Sequence, residues 1–319
     1  MSNWQYTKGL HDLGNSTYAY LQPDGTWGWS NAGLIVDGGA TLLVDTLFDL
    51  KLTQDMLHIM RKAVPATAHI DTVVNTHANG DHCYGNQLVA EARIIASKRT
   101  AEEMVTGATP EMMAMLLKQA SQMGLPGAFF YHAFHKFNFE NITLTPPKET
   151  FEGEYALQIG DKLVQLIEVG PAHTLGDTLV YVPGDKTIFT GDILFIGGHP
   201  IMWTGPTSNW LRACDRILAL NVETIVPGHG PITDKQGVAA LKEYLEYVYA
   251  EARKRYDAGM PSLEAAKDIP MDKYATWTDG ERIAVNVNSM YREFSGDTEH
   301  PNIISLFGQM GELAELSNE

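Results

Sequence analysis

The chain predicts a mixed α/β protein of two sheets with helices outside, and three features carry that expectation. Apolar runs of strand length end repeatedly in glycine turns, in both halves of the chain. A stripe at helical spacing stands between two such runs in the first half. Hydrophobic residues make up 44% of the 319, enough for one large core or a core with an appendage.

The first segment reads as strands over 17–21, 32–36 and 41–45, the last two joined by the turn Asp37-Gly38-Gly39-Ala40. Leu52, Met56, Leu57, Met60 and Val64 then form one helical face, ended by Pro65. A strand at 72–74 follows. Over 100–147 the pattern changes to a methionine-rich helix, with Pro110 in its first turn, followed by the aromatic run 129–135. Such a segment suits an adaptable apolar lid, with Met112 and Phe130 as pocket residues; packing on a partner subunit is the alternative. His132 and His135 have the spacing of a helical metal pair but no third ligand near them in sequence.

Strands over 155–159, 162–169, 179–182 and 187–189 repeat the logic in the second half. A loop with His199 and Trp203 should pass close to the ligand-bearing turns, and a helix over 209–220 capped by Ser208 comes next. Beyond Thr233 the chain reads as helical, with one stripe at Leu241, Tyr244, Leu245 and Val248 and another at Ile283, Val287, Met290, Tyr291 and Phe294. These helices are expected to serve as support or as a homodimer contact, not as carriers of chemistry.

Four turns carry side chains that packing explains poorly. Thr76-His77-Ala78-Asn79-Gly80-Asp81-His82 crowds two imidazoles and a carboxylate at the end of a strand. Neutral imidazole and carboxylate suit a borderline cation such as zinc. The plain alternative is a polar turn with exposed histidines. His173 follows the next strand pair, Asp192 follows Thr190-Gly191, and His229 follows Pro227-Gly228.

In this order the motifs resemble the metallo-β-lactamase superfamily, over the stretch from near Gly33 to His229. The resemblance implies a four-layer αββα sandwich over 1–235, with 100–147 as an insertion and 236–319 as a helical C-terminal extension. It implies that His77 and His173 serve a first metal site, that Asp81, His82 and His229 serve a second, and that Asp192 bridges them. Where the family has a second histidine in the loop, this chain has Asn79, whose amide is a poorer zinc ligand than imidazole. The second site should therefore fill first, with one or two zinc ions per chain. Asn79 either stays out of the metal's coordination, still ligates weakly, or orients a ligand from behind. Asp45, at the end of its strand, is either such an orienting partner or only a turn residue.

On this reading a zinc-bound hydroxide attacks a small neutral or hydrophobic substrate, an ester, lactone or amide first of all. Asp81, His82 and Asp192 carry the catalysis, Asp81 also moving a proton to the leaving group. A mononuclear hydrolytic dehalogenase of activated haloaromatics is one alternative. An iron-dependent redox enzyme on the same scaffold and a non-catalytic metal-binding protein are others. No Gly-x-Ser-x-Gly elbow and no dinucleotide fingerprint is present.

The net charge of −16, with 39 acidic against 23 basic residues, weighs against a nucleic-acid partner. Cys83 and Cys214 are too few for a disulfide framework, and Cys83 reads as a small buried residue beside His82. The first eight residues show no basic-then-apolar leader, and no apolar run approaches ~18 residues, so a cytoplasmic protein without membrane contact is expected.

Overall fold

The computed structural model describes residues 4–299 and 301–316; Met1, Ser2 and Asn3 of the leader reading lie outside them. A seven-stranded sheet runs in sequence order through β1 (Gly9–Asp12), β2 (Thr17–Leu21), β3 (Ala32–Asp37), β4 (Ala40–Val44), β5 (Thr72–Val74), β6 (Arg93–Ser97) and β7 (Glu149–Phe151). Its first four strands are antiparallel, and the rest pair in parallel. A five-stranded sheet contains β8 (Glu154–Ile159), β9 (Lys162–Glu168), β10 (Thr178–Val182), β11 (Thr187–Phe189) and β12 (Thr224–Val226), antiparallel except for the β11–β12 pair.

Side-chain alternation explains the layers. Ile35, Leu42, Val44, Val74 and Ile95 face Leu157, Val164, Leu166, Val180 and Phe189 across the space between the sheets. Their neighbours Leu34, Leu43, Val73 and Ile94 point the other way, onto Met56, Leu57 and Met60 of α1 (Leu50–Ala63). The central strands are buried on both faces, so β3, β4, β5 and β10 read as apolar runs instead of alternating ones. On the far side, Leu179, Tyr181, Ile188 and Ile225 join a core with Trp210 and Ile217 of α6 (Thr207–Ala219). The architecture is the αββα sandwich with a helical C-terminal region.

The single-turn helix α2 (Gly80–Cys83) closes the His/Asp loop. The insertion folds as three helices, α3 (Lys98–Thr106), α4 (Pro110–Gln119) and α5 (Leu125–Phe134), where the sequence suggested one helix and an aromatic tail. Gly107 and Gly124 interrupt the methionine stripe. Helices α7 (Lys235–Asp257), α8 (Ser262–Asp268), α9 (Ile283–Ser295) and α10 (Ile303–Leu313) follow. Leu241, Tyr244, Val287 and Met310 lie in the same buried cluster as Ile188 and Trp210, so the C-terminal helices share the core of the sandwich.

Ser208 does not cap α6. The helix begins at Thr207 after extended Pro206, and Glu293 of α9 accepts the Thr207 N–H at 2.9 Å. A distant carboxylate thus satisfies one of the free amides of the first turn. Among the described residues no helix is long and apolar enough to cross a membrane.

Candidate metal centre

The ends of β4, β5, β9, β11 and β12 deliver the ligand candidates to one edge of the sandwich. Asp45, buried just beyond β4, organises the first of them. Its carboxylate accepts the Thr76 N–H and the Thr76 hydroxyl, each at 2.7 Å, and contacts His82 Nδ1 at 2.9 Å. Asp45 thus contacts both Thr76 and the ring of His82. His173 Nδ1 meets the Ile201 carbonyl at 2.6 Å, and His229 Nδ1 meets the Gly25 carbonyl at 3.0 Å. His77 Nδ1 lies 3.1 Å from Thr76 Oγ1, whose own proton goes to Asp45.

In each ring, then, Nδ1 faces outward to a fixed partner and Nε2 faces inward. The inward atoms converge. His82 Nε2 is 3.1 Å from Asp192 Oδ1, while His173 and His229 Nε2 are each 3.4 Å from Asp192 Oδ2. His77 Nε2 lies 3.8 Å from Asp192 Oδ2, and Asp81 Oδ2 lies 3.2 Å from His229 Nε2. His77 Nε2, His82 Nε2 and Asp192 Oδ1 are buried with no hydrogen-bond partner. Buried polar atoms are rarely left so, and three at one point are what a cation would satisfy. Two sets of atoms are close enough to hold one: His77, His82 and Asp192, and Asp81, His82 and His229. His82 belongs to both, whereas the expected division gave it to the second site alone.

Charge distribution agrees with that fit. Burial opposes ionisation of Asp192, yet His229, His82, His77 and His173 around it hold its carboxyl well below the usual range. Burial likewise opposes a charged His229, but Asp192 and Asp81 outweigh it and push the ring up to about 9. His82 is also raised, against burial, by Asp192, Asp81 and Asp45. Burial, with His82 adding to it, keeps His77 neutral. Protons on His82 and His229 occupy positions that a divalent cation would take. Gly228 permits the approach: a Cβ there would stand 2.0 Å from Asp192 Oδ1.

Asn79 sits with its amide oxygen 2.7 Å from His173 Nε2. Two acceptors do not bond each other, so either the amide is turned to donate N–H or a cation stands between them. Asp177, not singled out from the sequence, holds the His173 turn by accepting from Thr174 N at 3.0 Å and Thr174 Oγ1 at 2.6 Å. Burial raises its carboxyl to about 8 despite those bonds.

Above this floor lies a cavity of about 280 Å³. Trp203 is on its wall, as expected. Met112, Phe130 and His199 are not. Met112 points to solvent, and its neighbour Met113, about 100° round α4, lines the cavity instead. Phe130 is buried against Phe134 and Phe307, and it is Phe134, one turn further along α5, that faces the space. His199 is 2% exposed, its Nδ1 3.0 Å from Tyr244 Oη and its ring edge-on to Trp277. His135 bonds only its own helix, at Tyr131 O, and stacks on that ring. Cys83 is buried, with Sγ directed at the Ala78 and Asn79 carbonyls.

Several wall residues escaped the sequence reading: Trp27, Glu103, Arg282 and Phe307. Two of them, Arg282 and Phe307, come from the C-terminal region, which was expected to carry no chemistry. None stands in a motif, so only the fold could find them.

Sandwich, ligand-bearing strand ends and converging imidazoles together define a metallo-hydrolase-type centre. The sequence profile of the metallo-beta-lactamase superfamily matches residues 25–229, and the chain belongs to that superfamily. It is 26% identical over 200 residues to hydroxyacylglutathione hydrolase of Methylococcus capsulatus, covering 60% of this chain and 63% of that protein. It is 25% identical over 168 residues to the 2,4-dinitroanisole O-demethylase subunit alpha of Nocardioides sp., covering 50% and 40%. The solved sec-alkylsulfatase Pisa1 from Pseudomonas sp. superposes with a TM-score of 0.69 at 15% identity, over 91% of this chain and 50% of that one. The chain thus spans between two-fifths and just under two-thirds of these proteins. The fold and the His/Asp groups able to hold a metal are thus those of a superfamily member.

Proposed function

We propose that the protein is a zinc-dependent hydrolase of a compact, largely apolar substrate, an ester, lactone or amide before others. The observation that carries this reading is the convergence of His77, His82, His173, His229, Asp81 and Asp192 at the floor of an aromatic-walled cavity. A zinc ion held by Asp81, His82, His229 and Asp192 supplies a Lewis acid and an activated water.

The chain's own groups do the rest. Asp45, Thr76 and the carbonyls of Ile201 and Gly25 fix the imidazoles in their Nε2-inward form. Asp192, kept ionised by the surrounding rings, supplies negative charge to the centre. Asp81, on the cavity wall, is placed to take a proton and return it to the leaving group. Trp27, Phe134, Trp203 and Phe307 bind the apolar body and exclude water.

Asp81→Ala should lower turnover of the best substrate in an ester, lactone and amide panel by at least ~100-fold with the fold retained. Turnover within a few-fold of the parent would remove the assignment of Asp81.

A second reading is hydroxide displacement on an activated aromatic ring, as in hydrolytic dehalogenation. The aromatic walls and the similarity to a 2,4-dinitroanisole O-demethylase subunit favour it. Chloride release from electron-poor chlorinated arenes, measured in parallel with the ester panel, decides between them; absence of release eliminates the second reading.

A further inference from the structure

Arg282 is the only lysine or arginine among the described residues lining the cavity, and it is 2% exposed. A guanidinium so buried is costly unless its donors are used and its charge is met. Nη1 donates to the His199 carbonyl at 2.8 Å, and Nη2 stands 3.3 Å from an Asp279 carboxylate oxygen. Nε is buried without a partner. The nearby Glu281 accepts the Trp27 indole N–H with its Oε1 at 2.8 Å.

The guanidinium carbon packs over two rings, 4.4 Å from the Trp27 centroid and 5.3 Å from that of Phe195. The Phe195 ring in turn stacks on His229, 5.1 Å away and 2° from parallel. Arg282 is therefore one aromatic layer beyond a ring of the metal centre, on the wall of the same cavity. A planar guanidinium packed against aromatic rings is suited to a carboxylate or sulfonate at a fixed angle.

We infer that Arg282 makes an anion-accepting subsite, so that the substrate combines an apolar body, seated on Trp27 and Phe307, with one terminal carboxylate- or sulfonate-type group. This rests on the cavity being the substrate site of the proposed hydrolase and refines that substrate from neutral to monoanionic.

Benzoate and its neutral isostere benzamide probe the subsite by calorimetry on the zinc-loaded protein, independently of turnover. The parent should bind benzoate about tenfold more tightly than benzamide, and Arg282→Gln should bring the two within about twofold at unchanged zinc content. Asp279→Asn, in a left-handed position that asparagine tolerates, removes the competing carboxylate and should tighten benzoate about threefold while leaving benzamide unchanged. Should Arg282→Gln fail to fold, Asp279→Asn decides alone. Equal binding of the two probes, a benzoate preference that survives Arg282→Gln, or an unaltered benzoate affinity in Asp279→Asn would overturn the inference. Arg282-dependent benzoate binding without hydrolysis of any ester, lactone or amide would support the subsite and remove only the hydrolase reading.

Discussion

Asn79 departs from the superfamily's loop pattern, and its consequence is measurable at a single side chain. Its amide stands against His173 Nε2, and on the proposed reading this weakens the first ligand set while Asp81, His82 and His229 keep theirs. Asn79→His should raise bound zinc from about one towards two per chain at equal free zinc, read by elemental analysis. Unchanged stoichiometry would mean that His173 is withheld for another reason. Asp177 gives a pH-dependent counterpart. Its folded-state pKa of about 8 lies above the ordinary carboxyl value, so the protein gains a proton on folding. That contribution is fully present below about pH 4 and is lost as pH rises through 8. Asp177→Asn carries no such titration while keeping an acceptor for Thr174, so its melting temperature relative to the parent should climb between pH 4 and 8. A pH-independent difference would contradict the assignment.

At the scale of elements, the ligand set was legible because each member sits in the loop that follows its own strand, three to eight residues past the strand's end. Local sequence therefore placed His77, Asp81, His82, His173, Asp192 and His229 without knowledge of the packing. Helix phase was not legible in the same way. Met112 and Met113 are both apolar, and only the contacts of α4 determine which faces inward. Phe130 and Phe134 differ likewise, and His199 was drawn inward by Tyr244, forty-five residues away. The role of α10 depends on the same non-local packing. A Cβ added at Gly311 would come within 3.0 Å of Leu125, so the glycine lets α10 approach α5 closely and carry Phe307 over the cavity. Phe307→Ala should cost about 3 kcal/mol or somewhat less, and should raise KM for apolar substrates more than it lowers kcat. A kcat loss with unchanged KM would place Phe307 outside substrate binding.

Across the whole molecule, two sheets bury both faces of their central strands and leave the ends of five strands to build the floor of one cavity, while the C-terminal helices build part of its wall. Arg282 lies outside the residues matched by the superfamily profile, as does Phe307. The floor therefore follows the shared pattern, and part of the wall lies outside it. The central claim concerns the floor: its imidazoles and carboxylates hold a divalent cation on which hydrolysis depends. The direct measurement is metal identity and amount per chain, on protein purified without added metal, with turnover followed through chelation and readdition. The account predicts about one zinc per chain, lost together with turnover and restored with it. Turnover that survives complete removal of metal, or iron as the stoichiometric ion, would contradict it.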